Sequence, residues 1–498
     1  MNRRGFLTTM GATPLAAAAQ TESRSTPVNI GSRLELLVDE HLIDKFNGGA
    51  RLRMHQPERR EIAIVHDAPW EGCGSGYHTV FRDGDLYRMY YKSWNHEFDR
   101  KTVHPLVIAY AESRDGIHWE KPNLGLVEYN GSKKNNIILD DVHAHNAHDF
   151  SPFRDTNPAA KSDAVYKAVG HAKPGGLYGL KSTDGIHWKL MQDAPILTKG
   201  KFDTQNLAFW DPRIGKYRAY IRDFDGKRRD ITTAVSDDFI HWSEPKWLQY
   251  PGAPSEQLYT NGIAPYYRAP HLYFGFPARY VDRGWTESTE LLPELELRKQ
   301  RAAANVRYGS AVTDGLFMSS RDGMVFHRWP EAFIRPGLRT RFNWSYGDNY
   351  IAWGVMETKS TFDDEATELS LYSTESYFTG TDARLRRYTL RIDGFVSAFA
   401  SLGGGEMLSK PLIYDGSELA INFSTSAGGS LRFELQDASG RPLPGCELAG
   451  CPEMFGDSLR QSVRWKAKPQ LSRWAGQPVR LRVEIKDADL FSFQFSKA

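Results

Sequence analysis

The stretch Ser113-Arg-Asp-Gly-Ile-His-Trp119 decides the fold, because it recurs along the chain. It returns as Ser182-Thr-Asp-Gly-Ile-His-Trp188 and Ser236-Asp-Asp-Phe-Ile-His-Trp242, and in a weaker form as Ser320-Arg-Asp-Gly-Met-Val-Phe326. Successive copies of this turn phrase begin 69, 54 and 84 residues apart. Repeats of this size are typical of the four-stranded blades of a β-propeller, with loops of unequal length between the strands.

The residue types of the turn phrase fit a β-turn. The Asp side chain can accept hydrogen bonds from nearby backbone N–H groups, and the Gly supplies a positive φ. The Trp or Phe three residues later begins the next strand and packs between blades. We therefore interpret Asp115, Asp184, His118 and His187 as structural residues and not as catalytic ones.

Strand-like runs surround each turn phrase. Tyr77–Phe81 and Leu86–Tyr91 flank Asp83-Gly84, which is a strong hairpin signal. Comparable groups of runs accompany the other phrases, and a last group begins at Asn349 without a phrase. Four phrases and this last group predict an all-β fold in which a five-bladed β-propeller covers residues 30–400.

Two further regions stand apart from the repeat. Residues 288–304 are rich in Leu, Glu, Arg and Ala and predict a short helix inserted in the fourth blade, either as a lid near the pocket or as a solvated surface helix. From residue 408 to 498, short strands alternate with Gly, Pro and Asp turns. This pattern predicts a C-terminal β-sandwich of normal size.

The first residues indicate export. Arg3 and Arg4 precede a mildly apolar stretch, and Ala16 to Ala19 supply the small residues that a signal peptidase requires. Residues 1–19 thus predict a twin-arginine signal peptide and a periplasmic or secreted protein; the alternative is a disordered basic start. No other apolar run approaches the roughly 20 residues of a membrane span.

The charge and the aromatic content of the chain indicate which classes of ligand it binds. The charge is balanced, with 63 Lys+Arg against 61 Asp+Glu, and no basic stripe favours nucleic acid. An aromatic content of 12% is typical of β-rich proteins whose rings meet sugars, although blade cores also use aromatics. The three cysteines form no disulfide framework; Cys446 and Cys451 could pair, leaving Cys73 as a lone structural thiol.

Several motifs resemble secreted bacterial proteins related to glycoside hydrolase families 32 and 43. The resemblance covers nearly the whole mature chain and is carried by Leu37–Asp44, Gly76–Phe81, Lys121–Gly125, Phe202–Asn206, Leu258–Asn261 and Lys486–Leu490. It implies the propeller and sandwich, and an exo-acting glycoside hydrolase with a carbohydrate substrate. Those families begin the innermost strand of the first blade with a catalytic Asp, whereas this chain has Gly76-Tyr77-His78-Thr79 there, with Glu71 and Asp67 upstream.

Glycoside hydrolysis normally needs two carboxyl groups, and the innermost strands of a propeller converge on its axis. Glu71 precedes the first such strand and is our candidate base or nucleophile; the alternative is a rim residue held by backbone N–H groups. Asp203 begins the innermost strand of the third blade and is a further catalytic candidate if it faces the central funnel. The alternative is that it caps a turn. Glu256 precedes Tyr259 and is the candidate acid, because apolar walls raise the pKa of a carboxyl group.

Ten other residues are candidates for substrate binding. Their hydroxyl, amide, ring or charged groups suit sugars, although Trp344 could equally pack in the core and Arg279 could pair with a neighbouring acid. The set is Tyr77, His148, Asp149, Gln205, Asn206, Tyr259, Asn261, Arg279, Trp344 and Asn349.

We predict no cofactor and no metal. A metal site remains the minor alternative for the loop that carries His143, His145 and His148 with Asp140, Asp141 and Asp149. Two other functions also remain open. The chain could bind carbohydrate without catalysis, or it could be a sugar lyase or isomerase in which His148, Tyr77 or Tyr259 moves protons.

Overall fold

The computed structural model describes residues 26–95, 104–140, 148–171, 175–361, 366–379 and 382–497. The chain is nearly all β, with 47% strand and 6% helix, which confirms the all-β prediction. Within the described ranges no helix combines the length and apolarity that crossing a membrane requires. The predicted signal peptide lies outside the described residues.

The chain begins with four strands of a ten-stranded sheet, here called the terminal sheet, and then one strand that completes the last repeat. These strands are β1 (Val28–Gly31), β2 (Glu35–Leu36), β3 (Ile43–Gly48), β4 (Arg51–Met54) and β5 (Glu58–Val65).

Three antiparallel sheets of four strands follow in chain order. The first sheet holds β6 (Gly76–Asp83), β7 (Leu86–Ser93), β8 (Val107–Ser113) and β9 (Ile137–Asp140). The second sheet holds β10 (Phe150–Arg154), β11 (Tyr166–His171), β12 (Leu177–Ser182) and β13 (Lys189–Leu190). The third sheet holds β14 (Leu207–Asp211), β15 (Lys216–Phe224), β16 (Arg229–Ser236) and β17 (Lys246–Trp247).

The fourth repeat carries an added three-stranded sheet and the helices. The added sheet holds β18 (Gln257–Leu258), β21 (Ala278–Asp282) and β22 (Ala311–Gly315), and the fourth sheet holds β19 (Ala264–Tyr266), β20 (Ala269–Gly275), β23 (Met318–Ser320) and β24 (Phe326–Arg328). Helices α1 (Glu287–Glu290), α2 (Leu295–Ala304) and α3 (Val306–Ser310) lie between β21 and β22, where the sequence predicts a helical insertion.

The fifth sheet joins the two ends of the repeat region. It consists of β25 (Met356–Lys359), β26 (Thr367–Glu375), β27 (Arg384–Leu390) and the early strand β5, which pairs with β27 in antiparallel fashion. The described chain thus contains five four-stranded antiparallel sheets, and the last is closed by a strand from before the first.

The turn phrase has the predicted structural role. In the second sheet, Asp184 Oδ1 accepts from the N–H groups of Ile186 and His187, and Ser182 Oγ accepts from the N–H of Gly185. The same pattern recurs in the other three copies.

Turn phrases also connect adjacent sheets. In three of them the glycine carbonyl accepts a hydrogen bond from a tyrosine hydroxyl of the preceding sheet: Tyr372 to Gly116, Tyr90 to Gly185 and Tyr220 to Gly323. In the third copy Phe239 packs on Phe153 of the second sheet, at 5.7 Å between ring centroids. The fourth and fifth sheets share a hydrophobic cluster that includes Phe274 and Leu371. The first sheet therefore contacts the fifth, and the five sheets follow one another in a ring.

The terminal sheet extends further along the chain than the predicted sandwich. It combines β1–β4 with β28 (Val396–Ala400), β29 (Gly405–Ser409), β30 (Leu412–Tyr414), β31 (Glu418–Asp437), β32 (Asp457–Ser462) and β33 (Pro478–Ser496). The predicted boundaries at residues 30, 400 and 408 differ from this arrangement because strand pairing between the two ends of the chain is not local. Cys446 and Cys451 are buried free thiols in its core.

Candidate functional site

The candidate site lies where the first strands of the five sheets begin. Five tyrosines, each no more than 6% exposed, meet there and form what we call the tyrosine cluster: Tyr77, Tyr259, Tyr346, Tyr350 and Tyr377. The ring centroids of Tyr259 and Tyr350 are 5.4 Å apart, and those of Tyr77 and Tyr350 are 6.1 Å apart. Burial is the main cause that raises the pKa of Tyr77, Tyr346, Tyr350 and Tyr377 well above the usual value, so these four phenols stay neutral.

Backbone strain is concentrated around this cluster. Of the eleven described residues other than glycine with positive φ, five flank or belong to it: Tyr77, Trp344, Asn349, Ser376 and Phe378. A positive φ in a bulky residue costs free energy and persists only where the surrounding structure enforces it, which is common at functional sites.

Asp149 is a buried carboxylate close enough to the tyrosine cluster for its charge to act on Tyr77 and Tyr377. It lies directly before β10, is 1% exposed, and neither carboxylate oxygen has a hydrogen-bond partner among the described residues. After burial and the neighbouring tyrosines, the charge of Asp149 contributes to the raised pKa of Tyr77. A buried carboxylate without hydrogen bonds is costly, so a ligand group that satisfies it binds favourably.

Lys92 brings a buried cation to the same place. Its Nζ atom on β7 lies 4.3 Å from the ring centroid of Tyr77 and 5.1 Å from that of Trp94. Burial lowers the pKa of Lys92 to about 8, and the charge of Asp149 partly opposes this effect. An amine with such a pKa can exchange a proton near neutral pH.

Glu71 is buried in an ion pair and does not open to a funnel. Its Oε2 accepts from Lys121 Nζ (2.6 Å), its Oε1 accepts from the Tyr91 hydroxyl (2.6 Å), and His66 Nδ1 lies 3.6 Å away. Burial raises the pKa of Glu71, but the contacts with His66 and Lys121 outweigh burial and lower the pKa to about 2. The predicted base or nucleophile thus has its oxygens occupied by protein groups.

Glu256 also has protein partners. Its carboxylate pairs with Arg279 Nη1 (2.9 Å) and with Arg328, and Arg279 forms a second pair with Asp314. Each Glu256 carboxylate oxygen is thus held by an arginine, so the predicted acid has protein partners on both oxygens. Glu256, Arg279, Asp314 and Trp344 line a cleft of ≈ 620 Å³, and Arg279 has the carboxylate neighbours that the sequence left as the alternative.

Asp203 borders the tyrosine cluster. Its backbone carbonyl accepts from the Tyr259 hydroxyl (3.4 Å), and its side chain, 64% exposed, pairs with Arg222. The Arg222 guanidinium lies 5.1 Å from the ring centroid of Tyr259. Asp203 is therefore the one predicted catalytic acid that is both solvent-exposed and beside the cluster.

The predicted amide ligands mainly hold the strand ends. Gln205 Nε2 donates to His78 O (3.0 Å), Asn206 Nδ2 to Thr204 O (2.8 Å), Asn261 Nδ2 to Tyr220 O (3.5 Å) and Asn349 Nδ2 to Thr313 O (2.9 Å). All four residues are at most 4% exposed. Their buried amides satisfy backbone carbonyls and so position the first strands.

Three groups at the site were missed from the sequence: Lys92, His171 and the tyrosines beyond Tyr77 and Tyr259. Phe150 pairs with Gly170 where β10 meets β11, and this pairing brings His171 beside Asp149. Of the predicted metal-loop residues, His143, His145 and Asp141 lie outside the described residues, and Asp140 ends β9.

Comparison with known proteins gives short or distant similarities. No family model matches the chain. In sequence, 59 residues are 44% identical to "Uncharacterized protein Rv1502" and "Uncharacterized protein MT1551" of Mycobacterium tuberculosis; the match covers 11% of this chain and only 19% of those proteins.

Solved structures similar to the chain include glycoside hydrolases. A chain described as "Glycoside hydrolase" has 13% identity and a TM-score of 0.42, covering 67% of this chain and 92% of its own. The catalytic domain of Coprinopsis cinerea GH62 alpha-L-arabinofuranosidase has 8% identity and a TM-score of 0.41, with coverages of 68% and 99%. Bombyx mori GH32 beta-fructofuranosidase BmSUC1 has 9% identity and a TM-score of 0.38, with coverages of 90% and 95%.

Proposed function

We propose that the chain is an exported five-bladed β-propeller protein that binds a carbohydrate at the tyrosine cluster and hydrolyses a glycosidic bond there. The observation that carries this proposal is Asp149, a buried carboxylate without hydrogen bonds that lies near aromatic rings and Lys92. Aromatic faces stack on sugar rings, and hydroxyl-bearing ligands satisfy buried carboxylates.

Asp149 and Asp203 are the carboxyl pair of this proposal. Both border the tyrosine cluster. Asp203 pairs with Arg222 but its side chain is exposed, whereas the side chains of Glu71 and Glu256 are largely buried in their ion pairs. The pair keeps Asp203 from the three acids expected from the sequence and replaces Glu71 and Glu256 by Asp149, which the sequence analysis gave as a binding residue. It supplies the two carboxyl groups that glycoside hydrolysis normally uses.

The test begins with a panel of nitrophenyl glycosides and defined oligosaccharides incubated with the mature protein. On any substrate that is cleaved, Asp149→Asn should lower kcat/KM by at least about 100-fold, since each carboxyl group contributes orders of magnitude to this reaction. Glu256→Gln is the matched acid-to-amide control and should retain activity within about threefold. Wild-type turnover in Asp149→Asn would refute the assignment.

A sugar lyase is the second candidate, favoured by Lys92. An amine with a pKa of about 8 beside neutral phenols can remove a proton from carbon and start an elimination. Product mass separates the two reactions, because hydrolysis adds one water and elimination adds none. Intact glycans that bind without cleavage would instead favour a binding protein.

Export is proposed from the twin-arginine pattern alone. Fractionation of a producing bacterium should place the protein outside the cytoplasm, and a double Arg3→Lys, Arg4→Lys variant should remain inside. A cytoplasmic wild type would remove this part of the proposal and leave the carbohydrate assignment untouched.

A further inference from the structure

Two histidines lie against the buried carboxylate of Asp149. Asp149 precedes β10 and His171 ends β11, and the backbone N–H of His171 donates to the backbone carbonyl of Asp149 (3.1 Å). This hairpin contact places the two side chains at the same end of adjacent strands. His148 adds a second imidazole, with its ring centroid 5.5 Å from that of His171 at an angle of 87°.

The ligand-type atoms of these residues converge. His148 Nδ1 lies 2.9 Å from Asp149 Oδ1, and His171 Nδ1 lies 3.8 Å from Asp149 Oδ2. One nitrogen of each ring and one carboxylate oxygen all lie within 4.8 Å of one another. Metal–ligand bonds of about 2.0–2.2 Å place neighbouring ligand atoms about 3–4 Å apart, so one cation can reach all three.

We propose that His148, Asp149 and His171 bind one divalent transition-metal cation. The contact between His148 Nδ1 and Asp149 Oδ1 is at ion-pair distance, 2.9 Å, but neither atom has a hydrogen-bond partner among the described residues. A cation between them would coordinate both the carboxylate and the His148 nitrogen. The proposal departs from the main sequence prediction of no metal. It keeps His148 and Asp149 from the minor alternative and adds His171, which the sequence analysis did not include.

The donor set selects the class of metal. Two imidazoles and one carboxylate suit Zn²⁺, Fe²⁺, Mn²⁺ or Ni²⁺, whereas Ca²⁺ and Mg²⁺ prefer oxygen ligands throughout. Three protein ligands leave coordination positions for water or sugar hydroxyls, as catalytic metal sites do. Because Asp149 lies near Tyr77, the cation would lie next to the tyrosine cluster.

The experiment measures metal binding without any sugar, so it does not depend on the proposed hydrolysis. The mature protein is stripped with EDTA, dialysed, and titrated with Zn²⁺ alone by isothermal titration calorimetry, with Ca²⁺ as the contrasting ion. We expect one Zn²⁺ per chain, a raised melting temperature on Zn²⁺ addition, and much weaker Ca²⁺ binding.

Asp149→Ala and His171→Gln should each weaken Zn²⁺ binding by at least about 100-fold, because loss of a ligand costs more than loss of its supporting groups. His187→Ala is the matched control, since His187 also contacts a carboxylate, Asp184, but on an exposed turn. His171→Gln keeps a polar side chain, and its circular dichroism checks that it folds. Zn²⁺ binding of equal strength in wild type and a folded His171→Gln, or none in wild type, would overturn the proposal.

Discussion

Lys121 and Glu71 form a partly buried ion pair, with Nζ 2.6 Å from Oε2, although Lys121 comes from the loop after β8 and Glu71 from the loop before β6. The same Lys121 Nζ donates to the backbone carbonyl of Val65 at the end of β5 (2.6 Å). Because β5 completes the fifth sheet, this pair helps to hold the first sheet against the last one. The Glu71 carboxylate thus stabilises the contact between the first and fifth sheets.

Glu71→Gln should destabilise the protein by about 3 kcal/mol at neutral pH, from a folded-state pKa of about 2 against a usual value near 4.5. The folded-state pKa is depressed, so this stabilisation is present above about pH 4.5 and is lost as pH falls towards 2. Urea denaturation at pH 7 and pH 3 measures the difference, which should shrink at the lower pH.

The control for Glu71 is Glu244→Gln, which removes one partner of the exposed Lys199–Glu244 pair. Exposed pairs contribute about 0–1 kcal/mol, so this variant should unfold almost as the wild type does. Equal effects of the two substitutions would contradict a structural role for Glu71.

Asp184→Ala should destabilise the protein by about 1–2 kcal/mol, because the Asp184 carboxylate closes the turn phrase by accepting from two backbone N–H groups. His187→Ala should change the free energy of unfolding by less than about 0.5 kcal/mol, since the His187 side chain is exposed. Chemical denaturation measures both variants. Loss of turnover in Asp184→Ala without loss of stability would refute the structural interpretation.

The turn phrase was predictable because its interactions are local. Each Asp accepts from residues two and three positions ahead, so spacing alone encodes the turn, and four of the five sheets carry a copy. The third copy of the turn phrase differs from the others, because Phe239 stands where they have glycine. Phe239 nevertheless adopts a positive φ of 70°. Its fully buried ring offsets the backbone strain.

The acids were not predictable, because their partners are distant in sequence. Glu71 and Glu256 do precede the first strands of their sheets. The basic residues that form ion pairs with them, Lys121 and two arginines, come from other loops and strands. The terminal sheet was not predictable for the same reason, since β1 pairs with β30, which lies almost 400 residues further along the chain. Asp149 was placed correctly at a strand start, yet only the folded hairpin brings His171 to it.

Asp203→Asn should lower kcat/KM on a cleaved glycoside by at least about 100-fold with little effect on stability, because its side chain is exposed and beside the tyrosine cluster. Steady-state kinetics and a melting curve measure the two effects separately. Asp223→Asn alters a neighbouring acid of β15 and serves as the control. Unchanged kinetics in Asp203→Asn would remove it from the carboxyl pair.

Lys92→Met should stabilise the protein and abolish the elimination in which Lys92 would be the base. The pKa of Lys92 is about 8 in the folded chain and near 10.5 when exposed, so below pH 8 the fold holds a buried charge at a cost of about 3 kcal/mol. Methionine removes this cost, so the variant should be more stable than the wild type at every pH below 8. The difference in the free energy of unfolding should vanish as pH rises through 10.5. Denaturation in EDTA across this range measures the effect without a bound cation. A purely structural Lys92 would instead make the variant less stable and leave the turnover of the folded variant unchanged.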